Sequence, residues 1–241
     1  MTRFWHEFKT DVRVQFRNKL YHIGIIIALL LALVLSQLVT MAQLAFAFPA
    51  IVVLIIGGTT MLYVAGMVIF EKDEGTIAAA IVTPLKDVEY IAAKTASLVT
   101  LATFETFLAL AGAVAILAFK EPIIWPNPLW LVIGTASVGI VYTLVGLAMV
   151  VRYKSITEFL IPMAVVAVTL QMPFLYFFGL VEHWSLLIIP TSAPTMVIMG
   201  AYRDLVMWEQ LYALGYTGAL LIGLSIWAKA AFHKHIISRM G

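Results

Sequence analysis

Few residues in this sequence have the type and spacing to do chemistry. Most lie in the segment FEKDEGTIAAAIVTPLKDVEYIAAK, residues 70–94, and two more, Glu105 and Gln171, stand inside apolar runs. Enzyme motifs fail one by one. His6-Glu7 opens an H-E-x-x-H zinc pattern, but residue 10 is threonine and the second imidazole is missing. No G-x-S-x-G offers a serine nucleophile. Gly134 and Gly139 have the glycine spacing of a phosphate-binding loop, yet Ile140-Val141 stands where lysine and a hydroxyl must follow. His233 and His235 are two apart and cannot share a helix face. With no cysteine, disulfides and thiolate metal sites are excluded. A net charge of +2 gives no footprint for nucleic acid. The chain therefore reads as non-enzymatic, with no catalytic residue, metal site or cofactor of its own.

The elements that must position the polar residues are membrane spans. The 241 residues are 63% hydrophobic and 12% charged, with mean hydropathy +1.01. A soluble domain is roughly 45–50% apolar and about 25% charged. Residues 23–39, 51–70, 129–151, 159–178 and 211–227 contain no Lys, Arg, Asp or Glu, and residues 95–119 contain only Glu105. Such runs cross a bilayer as helices, because a helix satisfies its own backbone groups without water. This predicts an all-α, polytopic membrane protein of six spans forming one transmembrane domain, residues 1–241. The basic start, the apolar run and Ala45-x-Ala47 suggest a signal peptide, but the run is too long for one, and no cleavage is expected. Thirteen of the fifteen Lys and Arg residues fall in segments that six spans place on one side. By the positive-inside rule that side is cytoplasmic and holds both termini.

Three segments lie outside this pattern. In residues 1–21, Phe4, Phe8, Val12 and Phe16 recur every four residues among Arg3, Glu7, Lys9, Arg13 and Arg17. This predicts an amphipathic interfacial helix, either a simple anchor or a lever between a cytoplasmic partner and the first span. Residues 180–208 contain an apolar stretch, 185–199, interrupted by Pro190 and Pro194. It is short for a crossing, and a crossing would move the basic tail outside, so a re-entrant pair of short helices on the outer side is expected. In the loop of residues 71–94, Glu71, Lys72, Asp73 and Glu74 mark the end of a span. Gly75 breaks the helix, Thr76 can cap a new short one over residues 76–82, and Pro84 ends it. The loop is either a docking element for a cytoplasmic partner or a solvated connector. Glu105, with Ala102, Ala109 and Ala113 on its side of the helix, is either part of a substrate path or a hydrogen-bonded packing residue. Gln171, beside Pro173, is a second candidate for the path.

The loop resembles the signature of type-2 ABC exporter permeases: an acidic cluster, Gly-Thr, a short apolar helix, Thr-Pro-Leu, an acidic-aromatic pair and a lysine. The matching positions are Glu71, Glu74, Gly75, Thr76, Thr83, Pro84, Leu85, Glu89, Tyr90 and Lys94. DVRVQFRNKLY and VTPLKDVEYIAAK resemble segments of fluoroquinolone export permeases. Ala78-Ala79-Ala80 departs from the Glu and Leu that family members often carry there. The resemblance implies a permease subunit of an ATP-driven exporter in the cytoplasmic membrane, moving lipophilic or drug-like molecules. It implies that a separate ABC ATPase, which binds ATP and Mg, docks on Glu71, Glu74, Gly75, Thr76, Thr83, Pro84, Glu89 and Tyr90. It also implies a second permease subunit, identical or a paralogue. A secondary transporter or channel needing no ATPase is the first alternative; against it, no inverted repeat with matching broken helices is visible. A structural or assembly membrane protein is the second.

Overall fold

The computed structural model describes residues 2–77 and 86–238, and every regular element among them is helical. An amphipathic helix α1 (Thr2–Arg17) precedes the first span α2 (Leu20–Leu38), the second α3 (Leu44–Asp73), the third α4 (Asp87–Leu117) and the fourth α5 (Pro128–Val150). The fifth span is broken into α6 (Ile156–Gln171) and α7 (Pro173–Phe177). A 3₁₀ turn (Trp184–Ile188) and α8 (Ser192–Met199) follow. The last span, Met207–Ile237, contains α9 (Met207–Leu211) and α10 (Thr217–Phe232). Six helical stretches are long and apolar enough to cross a membrane, as the sequence pattern predicts.

Their lengths carry information. A crossing needs about 20 residues, but α3 has 30 and α4 has 31. Both therefore extend past the hydrocarbon, and the excess carries Glu71, Lys72 and Asp73 on α3 and Asp87, Glu89 and Lys94 on α4. The loop between them, with α1, thus sits on a charged end of the bundle.

Helix α5 is the axis, packed by α3, α4, α8 and α10. Small residues at its contacts let backbones approach, which replaces the hydrophobic effect as the adhesive between helices in lipid. At Gly134 an added Cβ would lie 2.7 Å from the backbone nitrogen of Ile198 in α8. The helix starts at Asn127, whose side chain accepts from the N–H groups of Leu129 and Trp130, with Pro128 in the first turn where its missing donor costs nothing. It ends under Lys72, whose ammonium donates to the carbonyls of Val150, Val151 and Tyr153 at 3.2, 3.0 and 2.9 Å. A cation on the last carbonyls satisfies acceptors that the helix leaves open. The second seam joins α2 to α4, where Gly24, Ala28 and Ala32 face Glu105, Ala109 and Gly112.

The segment expected to be re-entrant holds no helix long enough to cross. Its helix α8 has eight residues, about 12 Å of rise, and Ser192–Ile198 are buried against α3, α5 and the last span. Two tyrosines on the π-helical turn Tyr212–Tyr216 hold the 3₁₀ turn before it: Tyr212 donates to the Leu187 carbonyl and Tyr216 to that of Ile188 at 2.8 Å. Arg203 forks onto Glu209 at 2.6 and 2.7 Å, and Glu209 also accepts from the Val206 N–H that opens α9.

Replacing Gly134 with valine should push α8 off α5 and cost about 1–3 kcal/mol, the usual range for overpacking. The measurement is the thermal midpoint of the detergent-solubilised protein against wild type. An unchanged midpoint would mean that the close α5–α8 contact does not exist.

Candidate functional site

The loop end of the bundle is built around one ammonium. Lys94 lies in the second turn of α4, where the helix still projects beyond the apolar run, yet it is fully buried. Its Nζ donates to Asp11 Oδ1 of α1 at 2.6 Å and, in a shorter contact, to Glu71 Oε1 at the end of α3. Tyr90, one turn before Lys94, donates its hydroxyl to the other oxygen of Glu71 and presents its ring 5.0 Å from the ammonium. Ser97 adds a hydroxyl 3.4 Å from Asp11 Oδ2, and Gln15 donates to Ser97 Oγ at 3.0 Å. A buried charge is tolerable only when paired and hydrogen-bonded, and here the counterions come from two different helices. Burial dominates over the attraction of Lys94 and pushes the Asp11 carboxyl up to about 6. The network fastens α1, α3 and α4 to each other at the base of the loop.

Helix α1 joins this network through a polar stripe. The side turned into the protein carries Asp11 and Gln15, both buried, with Phe4, Phe8 and Val12 only half-buried. Trp5 and Phe16 are exposed, free to meet lipid or headgroups. The four-residue period of the aromatic residues is legible without the structure. The polar stripe beside it, Asp11 and Gln15 at i and i+4, becomes meaningful only with Lys94 opposite.

The residues proposed from the sequence for docking do not share one environment. Glu71 and Tyr90 turn inward to Lys94. Glu89 accepts from the Lys86 N–H at 3.0 Å and so caps α4. Glu74, Gly75 and Thr76 are exposed. Gly75 has φ +70°, the left-handed conformation that suits glycine at a helix stop. The Thr76 hydroxyl donates back to the Glu71 carbonyl at 3.1 Å, tightening that stop. Thr83, Pro84, Leu85 and Ala78-Ala79-Ala80 lie outside the described residues, as does most of the short helix expected over 76–82. A cavity of about 440 Å³ opens beside the cluster, its lining including Glu7, Asp11, Glu71, Glu74, Tyr90 and Arg17. Four of its twelve lining residues are acidic and one, Arg17, is basic.

Glu105 and Gln171 are not part of this assembly. Glu105 is buried in the α2–α4 seam, where it accepts from the Tyr63 hydroxyl at 3.1 Å and the Thr59 hydroxyl at 3.4 Å. An added Cβ at Gly24 would run into its carboxyl, so the α2 glycine makes room for it. The neighbouring void holds only about 10 Å³, too little for a transported molecule. Gln171 donates to the Leu54 carbonyl at 2.9 Å and ties α3 to the break in the fifth span. Each makes an interhelical hydrogen bond. Among the described residues no group of His, Asp and Glu is arranged to hold a metal.

The model of the fluoroquinolones export permease protein family matches residues 2–240. Two fluoroquinolones export permease proteins of Mycobacterium tuberculosis, from strains CDC 1551 / Oshkosh and ATCC 25618 / H37Rv, are similar to the chain throughout. Each is 30% identical over 245 residues, covering 100% of this chain and 99% of the relative.

Replacing Lys94 with methionine should destabilise the protein by about 3–5 kcal/mol, because Asp11 and Glu71 would be left buried without their counterion. Joining it with Asp11→Asn and Glu71→Gln should recover most of that loss in thermal melts, and no recovery would sink the charge argument. At Glu105, glutamine can still accept from Tyr63, so Glu105→Gln should express and melt close to wild type. Glu105→Ala leaves a buried hydroxyl unpaired and should cost about 1–3 kcal/mol. Equal melting of the two variants would rule out the hydrogen-bonding role.

Proposed function

The chain belongs to the fluoroquinolones export permease protein family, and from that premise we propose that it is the membrane-spanning subunit of an ATP-driven exporter. In this reading it moves lipophilic, drug-like molecules of the fluoroquinolone type across the cytoplasmic membrane. Both termini face the cytoplasm. ATP and Mg are bound and spent by a separate ABC ATPase that docks on the loop between α3 and α4, and a second permease subunit completes the path.

One observation carries the coupling part: both stems of the loop, Glu71 before it and Tyr90 and Lys94 after it, meet in one buried ion cluster with Asp11 of α1. An ATPase moving the loop would move three helices as a unit, since parting them would strand charges in a water-poor interior. The exposed turn Glu74–Thr76 and the acidic mouth beside it suit a partner that offers basic side chains.

Glu74 tests the docking role better than Glu71, because Glu74 is exposed and Glu71 is committed to the fold. Glu74→Lys should leave the thermal midpoint unchanged while lowering ATP-dependent fluoroquinolone uptake by inverted vesicles several-fold. Uptake driven by a proton gradient in proteoliposomes holding the permease alone would instead identify a secondary transporter. For orientation, cysteines at Glu121, His183 and Asp204 should label from outside. Cysteines at Glu74, Tyr153 and Ser238 should label only after permeabilisation. Opposite sides for residues 153 and 238 would contradict the six-span topology.

A further inference from the structure

On the flank of the bundle, between α4, α5 and α10, runs an open groove of about 630 Å³. Its lining includes Ile91, Thr95, Val99, Leu144, Ile226 and Lys229. Ile226 and Val88 at its edges are exposed, although both belong to membrane-spanning helices. Lys229, in the last turn of α10, stands at the loop end of the groove with no ion-pair or hydrogen-bond partner among the described residues. A second polar group is spare there too. On α4, the hydroxyls of Thr100 and Thr106 each donate at 2.8 Å to the carbonyl four residues earlier. The Thr95 hydroxyl, shielded from solvent, has no partner.

We propose that this groove is a binding site for an anionic phospholipid of the surrounding leaflet, with an acyl chain against α4 and α5 and the headgroup phosphate at Lys229. Three features select this occupant. The groove faces outward along spanning helices, where lipid is the surrounding solvent. Its free charge is positive and sits at the helix end, the depth of headgroups, where an ammonium near an anionic surface favours binding. No aromatic ring lines it, so it offers branched aliphatic walls fitted to a flexible chain and no face on which a planar aromatic drug would stack. The site is separate from the loop cluster and does not depend on the ATPase assignment.

The test uses the whole permease in phosphatidylcholine vesicles containing a trace of diazirine-bearing phosphatidylglycerol or diazirine-bearing phosphatidylcholine. Photolabelled peptides are mapped by mass spectrometry. The glycerol lipid should label residues 88–99 and 225–229 about fivefold more than the choline lipid, the preference expected from one lysine near the headgroups. Lys229→Gln, an exposed substitution, should erase that preference while leaving choline-lipid labelling unchanged. Ala96→Phe should fill the groove and reduce labelling by both lipids; if it fails to fold, Lys229→Gln decides alone. Equal labelling by the two lipids, or a preference that survives Lys229→Gln, overturns the proposal. So does displacement of the label by excess fluoroquinolone, which would make the groove a substrate site. Efficient cross-linking of two copies through Ile226→Cys would make it a subunit interface, and would overturn the proposal equally.

Discussion

An ammonium group buried at the foot of a membrane helix must find its counterions in protein, because water is not there to solvate it. Lys94 finds them on two other helices, Asp11 of α1 and Glu71 of α3. The energetic logic is asymmetric: the assembled triad gains little over an apolar packing of the same volume, whereas separating any member is costly. Such a cluster fixes geometry more than it adds stability. It sets where α1 lies, how α3 and α4 leave the bilayer, and hence where the loop between them is presented. Lys72 extends the constraint by closing the end of α5, so that the tip of α3 is bound on one side to α1 and α4 and on the other to the axis of the bundle.

The opposite end is built on different terms. Its elements are short: a five-residue 3₁₀ turn, the eight-residue α8 and the five-residue α9. Neutral hydrogen bonds from Tyr212 and Tyr216 hold the 3₁₀ turn, with one Arg203–Glu209 fork at the rim and a bond from the Met41 N–H to Glu121 across the loops. The fifth span is interrupted at Met172, with Pro173 removing a backbone donor and Gln171 restoring a link to α3. The neutral bonds among these can be exchanged for others at small net cost, unlike the charges at the loop end.

The fold was largely legible from periodicity. Six apolar runs give six helices long enough to span because the bilayer leaves the backbone no other choice, and the segment with Pro190 and Pro194 forms no helix of that length. The site was legible only in part. Glu71 and Tyr90 stand out as charged and aromatic residues where an apolar run ends, but sequence offers no way to see whether they face a partner or the protein. Lys94 settles that question for both, and Lys94 looks like one more interfacial cation until Asp11, 83 positions earlier, is placed against it. Pairings over that separation are set by helix packing, which no local pattern encodes. Glu105 shows the same limit. Its alanine-rich face is readable, yet its partners Tyr63 and Thr59 and the space left by Gly24 lie on two other helices.

The contrast between the two ends bears on how a conformational change would travel. A displacement imposed at the loop meets charges that cannot be parted cheaply, so α1, α3 and α4 respond together, with α5 following through Lys72. The same displacement, carried along α3 and α5, arrives at α8, where Ile198 packs its side chain and backbone directly on Gly134. Packed interfaces of this kind switch between discrete arrangements rather than deform smoothly. The elements with the cheapest alternatives are then those held by neutral bonds around the break at Met172 and the tyrosine-held 3₁₀ turn. Rigidity where charge is buried and compliance where carbonyls meet hydroxyls make the far end of the bundle, rather than the loop end, the part that yields.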